Sequence, residues 1–114
     1  MKNYLSRIFD VMVKQVKARN LSTDDAFVLR LLRLTEELGE VSRAHRDWSN
    51  HVPPKDRYVA ISDELKYSLV EETVDCVISS LALFVATGAN EEQFNIIFDA
   101  KLKKWEDNIT CKKD

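Results

Sequence analysis

The sequence predicts an all-α fold, in which residues 1–114 form a single bundle-like domain of four helices. Only two glycines and two prolines occur in 114 residues, so few positions break a helix. Apolar residues recur at a spacing of three and four rather than in alternation, which indicates amphipathic helices. A composition with 45% hydrophobic and 32% charged residues is typical of a globular domain.

The first two helices are predicted from their ends and from their apolar stripes. The first runs from about Lys2 to Arg19, and Asn20 ends it. Ser22 or Thr23 caps the second helix, because a side-chain oxygen there can accept an N–H of the first turn. The apolar residues on one face of the second helix are Phe27, Leu31, Leu34, Leu38, Val41 and Trp48.

A loop is predicted after the second helix, from Ser49 to Val59. Pro53 and Pro54 lie inside it, and proline disfavours helix at the residue before it. The third helix then begins near Ser62 and continues to about Thr87, where a glycine stops it.

The fourth helix has a recognisable beginning. Asn90 followed by Gln93 forms a variant of the capping box, in which each side chain bonds to the other residue's backbone N–H. The apolar periodicity continues to about Asn108, so we expect the helix to end there.

Charge and cysteine content exclude several classes of function. The net charge of −2 conceals a middle section, residues 21–98, with seven basic and fourteen acidic residues, or 7 − 14 = −7. A nucleic-acid-binding protein would instead have a basic face. Two glycines cannot build the usual glycine-rich phosphate loops. Cys76 and Cys111 stand far apart, without the spacing of a zinc site.

No signal peptide and no apolar run long enough to span a bilayer occur in the sequence. We therefore expect a soluble, cytoplasmic protein that has neither a membrane nor a nucleic acid as its partner. Cys76 lies in the most apolar helix and is expected to be an inert core thiol.

Two carboxylates share one face of the second helix. Glu37 and Glu40 are three residues apart, about 60° around the helix axis and roughly one turn along it. Gly39 lies between them, although glycine inside a helix costs about 1 kcal/mol relative to alanine. We therefore expect another backbone or a bulky ligand to come close to Gly39.

The third helix repeats this arrangement with Glu72 and Asp75. The sequence around and after them is apolar on nearly all sides, which predicts a buried helix. Buried ionised carboxylates are costly unless they are paired or bound to a metal. Convergent carboxylates repel one another, and Mg²⁺, which prefers oxygen ligands, removes that repulsion. A structural alternative is a network of ion pairs with arginines of the second helix, namely Arg30, Arg33, Arg43 and Arg46.

With EExxE at 36–40 and ExxD at 72–75, the sequence resembles the all-α nucleoside triphosphate pyrophosphohydrolases of the MazG type. The resemblance extends from about Phe27 to Asn108 and includes LTEELGEV at 34–41 and VEETVDCV at 70–77. Dimeric dUTPases, dCTP pyrophosphatases and phosphoribosyl-ATP pyrophosphohydrolase are relatives of that family. It implies hydrolysis of a nucleoside triphosphate to the monophosphate and pyrophosphate, for cleansing of the nucleotide pool.

The resemblance also implies a cofactor, a set of ligands and an assembly. Mg²⁺, for which Mn²⁺ can substitute, would be bound by Glu37, Glu40, Glu72 and Asp75. Glu36 would join Glu37 in catalysis, as an outer ligand or by orienting the attacking water. The protein would form a homodimer or a dimer of dimers, in which helices of two chains complete each bundle.

Three further residues are candidates for substrate binding. Lys101 and Lys104 of the fourth helix match the lysines that contact phosphate in the resembled family. The sequence departs from the family pattern at Trp105, where asparagine is usual, and at Asn108, where arginine is usual. Trp48 is a candidate for stacking on a nucleotide base, although packing in the core or at a dimer interface is the more frequent role of such a residue.

Two alternatives stay open at the level of sequence. The enzyme could be specific for dUTP or dCTP, or it could be the phosphoribosyl-ATP pyrophosphohydrolase, because the motifs do not fix the base. In the second alternative, the chain is a non-catalytic helical module for oligomerisation or regulation, and its carboxylates form ion pairs.

Overall fold

The computed structural model describes residues 3–20, 22–51 and 64–111. Within these ranges the chain forms four helices and no strand, which confirms the predicted all-α class. The helices are α1 (Tyr4–Arg19), α2 (Thr23–His51), α3 (Glu64–Ala86) and α4 (Glu91–Cys111). With 29 residues, α2 is the longest and extends over about 43 Å.

The residues predicted to end and to cap helices have those roles. Asn20 follows α1 with a φ of 51°, in the left-handed region that commonly ends a helix. The Ser22 hydroxyl accepts a hydrogen bond from the Asp25 N–H at 3.1 Å, so Ser22 is the cap of α2. Gly88 follows α3 with a φ of 86°, a conformation that favours glycine.

The capping box of α4 is confirmed in both directions. The Asn90 side chain accepts the Gln93 N–H, and the Gln93 side chain accepts the Asn90 N–H, each at 2.8 Å. The helix continues to Cys111 and not to Asn108, since no residue between them breaks a helix.

The predicted start of the loop, at Ser49, is wrong because the second helix is longer than expected. α2 continues through His51, so Ser49 and Asn50 are helical. The physical reason is that proline disfavours helix only at the residue directly before it, here Val52. Residues 52–59 of that loop, the predicted helix start at Ser62 and Lys2 all lie outside the described residues.

The contact between α2 and α3 is the most extensive one among the described helices. Glu40 lies beside Glu72, and Arg30 lines the same cavities as Ala82, so the two helices run antiparallel. Ala82 and Ala86 are the buried residues of α3, and such small side chains allow close packing. The face of α3 that contains Ala82 is therefore turned toward α2.

Aromatic rings connect α3 to the other two helices. Phe84 of α3 lies edge-on to Phe9 of α1, at 6.1 Å between centroids, and to Phe94 of α4, at 5.0 Å. The Ser6 hydroxyl donates to Glu91 at 2.7 Å and also joins α1 to α4. The N-terminal part of α4 is thus attached to the other helices, whereas residues 95–109 are exposed.

Much of the apolar surface is left uncovered. The buried hydrophobic residues are Met12, Ala26, Trp48, Ala82 and Ala86, and no large side chain is fully buried among the described residues. The radius of gyration, 17.5 Å, exceeds the value of about 13 Å expected for a compact domain of 100 residues.

The prediction that α3 is buried on nearly all sides is wrong for the single chain. Val74, Val77 and Ile78 expose 50%, 58% and 48% of their surface, since α1 and α2 are the described helices with the main contacts to α3 and leave this surface uncovered. None of the described helices is both long and apolar enough to cross a membrane.

Candidate metal centre

Three carboxylates from two helices meet at one point. Glu37 and Glu40 lie one turn apart on α2, and Glu72 approaches them from the antiparallel α3. One oxygen of each residue lies within 4.8 Å of the others. Glu37 is 6% exposed and is the one buried charged residue among those described, whereas Glu40 and Glu72 are half-buried. We call these three residues the carboxylate cluster.

Two oxygens of the carboxylate cluster have no hydrogen-bond partner. Oε2 of Glu37 and Oε2 of Glu72 are both inaccessible to solvent and unpaired. A buried polar atom without a partner costs free energy, and such atoms are uncommon in folded proteins. Carboxylate oxygens that face one another without a donor are the ligand set of a hard cation. The residues present therefore fit a divalent ion such as Mg²⁺.

The electrostatics of the carboxylate cluster favour protons as well as cations. Burial raises the pKa of Glu37, and the negative charges of Glu40 and Asp75 raise it further, while Arg33 opposes the shift. Burial also raises the pKa of Glu72, followed by a hydrogen bond with Glu40 and by the neighbouring charges. Either a shared proton or a bound cation relieves this repulsion.

Arg33 is the cation that pairs with this region. Its Nη1 lies 3.4 Å from Glu36, and its Nε lies 3.6 Å from Glu37. The Arg33 side chain is 62% exposed, and ion pairs of exposed groups contribute little stability. Among the described residues, neither Glu40 nor Glu72 forms an ion pair. The three carboxylates of the cluster are therefore paired with a single guanidinium group, that of Arg33.

Asp75 and Glu36 lie at the edge of the carboxylate cluster. Asp75 is exposed and is not one of the three converging residues, but it lines a cavity of about 260 Å³ together with Glu37 and Ser79. The Glu36 side chain is 63% exposed and is paired with Arg33. Their predicted roles, as a metal ligand and as a catalytic group, stay predictions.

The predicted substrate-binding residues are not among the residues that converge in the carboxylate cluster. Lys101 and Lys104 are exposed on α4, and within the described part of the chain no hydrogen bond or ion pair joins either lysine to it. Trp48 is 9% exposed, with its ring edge-on to His45 at 6.2 Å. Trp48 is therefore packed in the protein, which was the more frequent alternative to base stacking for such a residue.

Of two residues near the carboxylate cluster, Gly39 departs from the sequence expectation, whereas Cys76 agrees with its predicted inert role. No atom lies within 4 Å of a Cβ built at Gly39, so no other backbone of the described chain comes close to it. Cys76 is half-buried, and its pKa is raised by burial and by the adjacent carboxylates, first among them Glu37. A raised pKa makes its thiol a poor nucleophile, in agreement with the predicted inert role.

Arginines beside the carboxylate cluster were considered in the sequence only as possible ion-pair partners. Arg30 and Arg33 precede Glu37 and Glu40 on the same face of α2, at intervals of three and four residues. Arg30 and Arg33 also line the cavity that contains Glu37 and Asp75. From this spacing alone, a cationic region could have been predicted directly next to the acidic one on α2.

Comparisons of the chain with models of protein families, with curated proteins and with solved structures find no match.

Proposed function

We propose that the protein is a Mg²⁺-dependent nucleoside triphosphate pyrophosphohydrolase, which converts a ribo- or deoxyribonucleoside triphosphate and water into the monophosphate and pyrophosphate. The observation that carries the proposal is the convergence of Glu37, Glu40 and Glu72 with two buried, unpartnered oxygens. The similarity of the motifs at 36–40 and 72–75 to those of MazG-type enzymes supports the same reaction.

The carboxylate cluster would hold the ion, with Asp75 at its solvent-exposed side. Bound Mg²⁺, or Mn²⁺ in its place, stabilises negative charge on phosphate oxygens and lowers the pKa of a coordinated water. Glu37 and Glu72 must lose their protons to act as ligands, and both have a raised pKa. Metal binding is therefore expected to weaken as the pH falls.

Glu36 is the residue that we expect to orient the attacking water. Arg33 pairs with both Glu36 and Glu37, so one guanidinium links the Glu36 carboxylate to a residue of the carboxylate cluster. Attack on phosphorus in line with the leaving group breaks one anhydride bond and releases pyrophosphate. Cationic side chains, for which Lys101 and Lys104 are the sequence candidates, would stabilise the charge that develops on the phosphates.

We also propose that a second copy of the chain covers the exposed apolar surface, in a homodimer or a dimer of dimers. Val77 of α3, together with Ile96 and Trp105 of α4, exposes more than half of its surface. Monomeric proteins rarely expose contiguous apolar patches of large size, and homo-oligomers with closed symmetry are the commonest assemblies.

The non-catalytic alternative has one observation in its favour, namely the pairing of Arg33 with Glu36 and Glu37. It predicts that the carboxylates are already neutralised and bind no divalent ion. Calorimetric titration with Mg²⁺ and Mn²⁺ separates the two proposals, because the enzyme requires binding that depends on Glu40 and Glu72.

The decisive assay measures pyrophosphate release from a panel of canonical and modified nucleoside triphosphates in the presence of Mg²⁺. We expect wild-type protein to hydrolyse at least one substrate. In Glu40→Gln and Glu72→Gln, the rate of pyrophosphate release is expected to fall by roughly two orders of magnitude or more. Glu71→Gln is the matched control, since Glu71 is exposed on the same helix and lies outside the carboxylate cluster.

The panel also addresses the base, because a dUTP- or dCTP-specific enzyme would release pyrophosphate from one substrate only. Phosphoribosyl-ATP is included as a separate substrate for the same reason. If no member of the panel is hydrolysed although the protein binds Mg²⁺, the proposed reaction is wrong. If Glu72→Gln retains full turnover, the assignment of the site is wrong.

A further inference from the structure

Three guanidinium groups line one cavity between α1 and α2. The cavity has a volume of about 430 Å³ and is bounded by Arg19 at the end of α1 and by Arg30 and Arg33 of α2. Gln15 and Met12 of α1 form part of its wall. Clefts of about 300–1,000 Å³ are typical of small-molecule sites. We call this cavity the arginine cleft.

The positive charges of the arginine cleft are balanced only in part, since Arg33 pairs with Glu36 and Glu37. Within the described part of the chain, neither Arg19 nor Arg30 forms an ion pair with a carboxylate. Arg30 donates a hydrogen bond to the neutral Gln15 side chain. Partial burial lowers the pKa of Arg30, and the charges of Arg19 and Arg33 lower it further. An anion in the cleft would remove this repulsion.

The arginine cleft shares two lining residues with a smaller cavity that reaches Glu37 of the carboxylate cluster. Arg30, Arg33, Glu37 and Glu40 follow one another on one face of α2, and Glu37 is seven positions after Arg30, about 10 Å along the axis. Arg30 and Arg33 line the arginine cleft and also line the smaller cavity that contains Glu37 and Asp75. One extended ligand could therefore contact both regions.

We propose that the arginine cleft is a subsite for phosphate oxyanions, which binds the phosphates of a nucleoside triphosphate that become the pyrophosphate product. The planar guanidinium group donates two parallel hydrogen bonds to phosphate oxygens. Those of Arg19 and Arg30, which form no ion pair within the described residues, match an anion with more than one charge. The identity of the anion rests on the proposed function, whereas binding of an oxyanion does not depend on hydrolysis.

Calorimetric titration with inorganic pyrophosphate in EDTA tests the subsite, since no divalent ion is then present. We expect wild-type protein to bind pyrophosphate, and Arg30→Gln and Arg19→Gln to bind it about tenfold more weakly, as expected for the loss of one charge-assisted hydrogen bond. Arg46→Gln is the control, because it removes the same charge from an exposed position of α2 outside the cleft. Its affinity is expected to stay within about twofold of wild type.

Arg30→Lys separates the shape of the guanidinium from its charge. It retains the charge and loses the paired donors, so we expect an affinity between those of wild type and Arg30→Gln. Arg19→Gln keeps the test informative if Arg30→Gln does not fold, because Arg19 is exposed. Circular dichroism of each variant confirms folding before titration.

The outcomes distinguish this subsite from the proposed reaction. Absence of pyrophosphate binding in EDTA, or equal affinities of wild type, Arg19→Gln and Arg30→Gln, overturns the subsite even if the protein hydrolyses nucleotides. Binding that depends on Arg19 and Arg30 upholds it even if no nucleotide is hydrolysed. In an active enzyme, the inhibition constant of pyrophosphate would rise in Arg30→Gln and not in Arg46→Gln.

Discussion

Glu37 on α2 and Glu72 on α3 each keep one carboxylate oxygen buried and unpaired. The two residues meet Glu40 at a point where one oxygen of each carboxylate lies within 4.8 Å of the others. The antiparallel packing of α2 on α3 brings these acids together, so the fold itself maintains the repulsion between them. A proton or a cation must reduce it. This requirement leads to two predictions about stability.

Without divalent ions, the free energy of unfolding is expected to fall as the pH rises from the ordinary glutamate pKa of 4.5 through the raised pKa of Glu37 and Glu72. In that interval the folded protein binds more protons than the unfolded chain, so the slope of stability against pH is negative. Urea unfolding at a series of pH values in EDTA measures it.

Glu37→Gln removes one of the titrating groups while it keeps the size of the side chain. The free energy of unfolding is therefore expected to decline less with rising pH in this variant than in wild type. Glu71→Gln should show the same decline as wild type. Parallel pH profiles of wild type and Glu37→Gln would show that the carboxylate cluster does not hold a proton.

Mg²⁺ or Mn²⁺ is expected to reverse the loss of stability that occurs as the pH rises. An ion that binds only the folded, deprotonated carboxylate cluster stabilises it by about 2.7 kcal/mol at a concentration of 100 times Kd. The melting temperature at pH 8 should therefore rise with added Mg²⁺ and return to its initial value with EDTA. Differential scanning calorimetry measures both changes.

The matched variants for the metal effect are Glu72→Gln and Glu71→Gln. The first should show almost no rise in melting temperature with Mg²⁺, and the second should show the full rise. An equal response of the two variants would mean that the ion binds elsewhere on the protein.

Local chemistry explains which parts of the fold could be predicted from sequence. Asn20, Ser22 and the pair Asn90 and Gln93 act through their own side chains and backbone conformations, so their positions in the sequence identify helix ends. The continuation of α2 to His51 was missed because a proline affects only its immediate predecessor.

The carboxylate cluster was predicted in part, because helix spacing determines which residues share a face but not how far two helices are shifted along each other. Glu37 and Glu40 could be paired from their spacing alone. That Glu72 joins them while Asp75 stays exposed depends on the register of α3 against α2. The arginine cleft depends in addition on where the end of α1 meets α2.

Replacement of Gly39 tests the surroundings of the motif. No atom lies within 4 Å of a Cβ at this position, so Gly39→Ala is expected to raise the free energy of unfolding by about 1 kcal/mol through the higher helix propensity of alanine. Denaturant unfolding measures the change. A loss of stability or of oligomerisation would show that another backbone lies against Gly39 in the assembled protein, as the sequence analysis expected.

Val77 tests the proposed second copy. It exposes 58% of its surface and lines an apolar groove between α1 and α3 with Val11 and Leu81. If another copy covers this groove, Val77→Asp places a charge in an apolar interface and is expected to shift the protein to monomers, because burial of an unpaired charge is costly. Light scattering coupled to size-exclusion chromatography measures the mass. Val77→Leu keeps the site apolar and should preserve the assembly, whereas an unchanged mass of Val77→Asp would place the interface on another face, such as the exposed turns of α4.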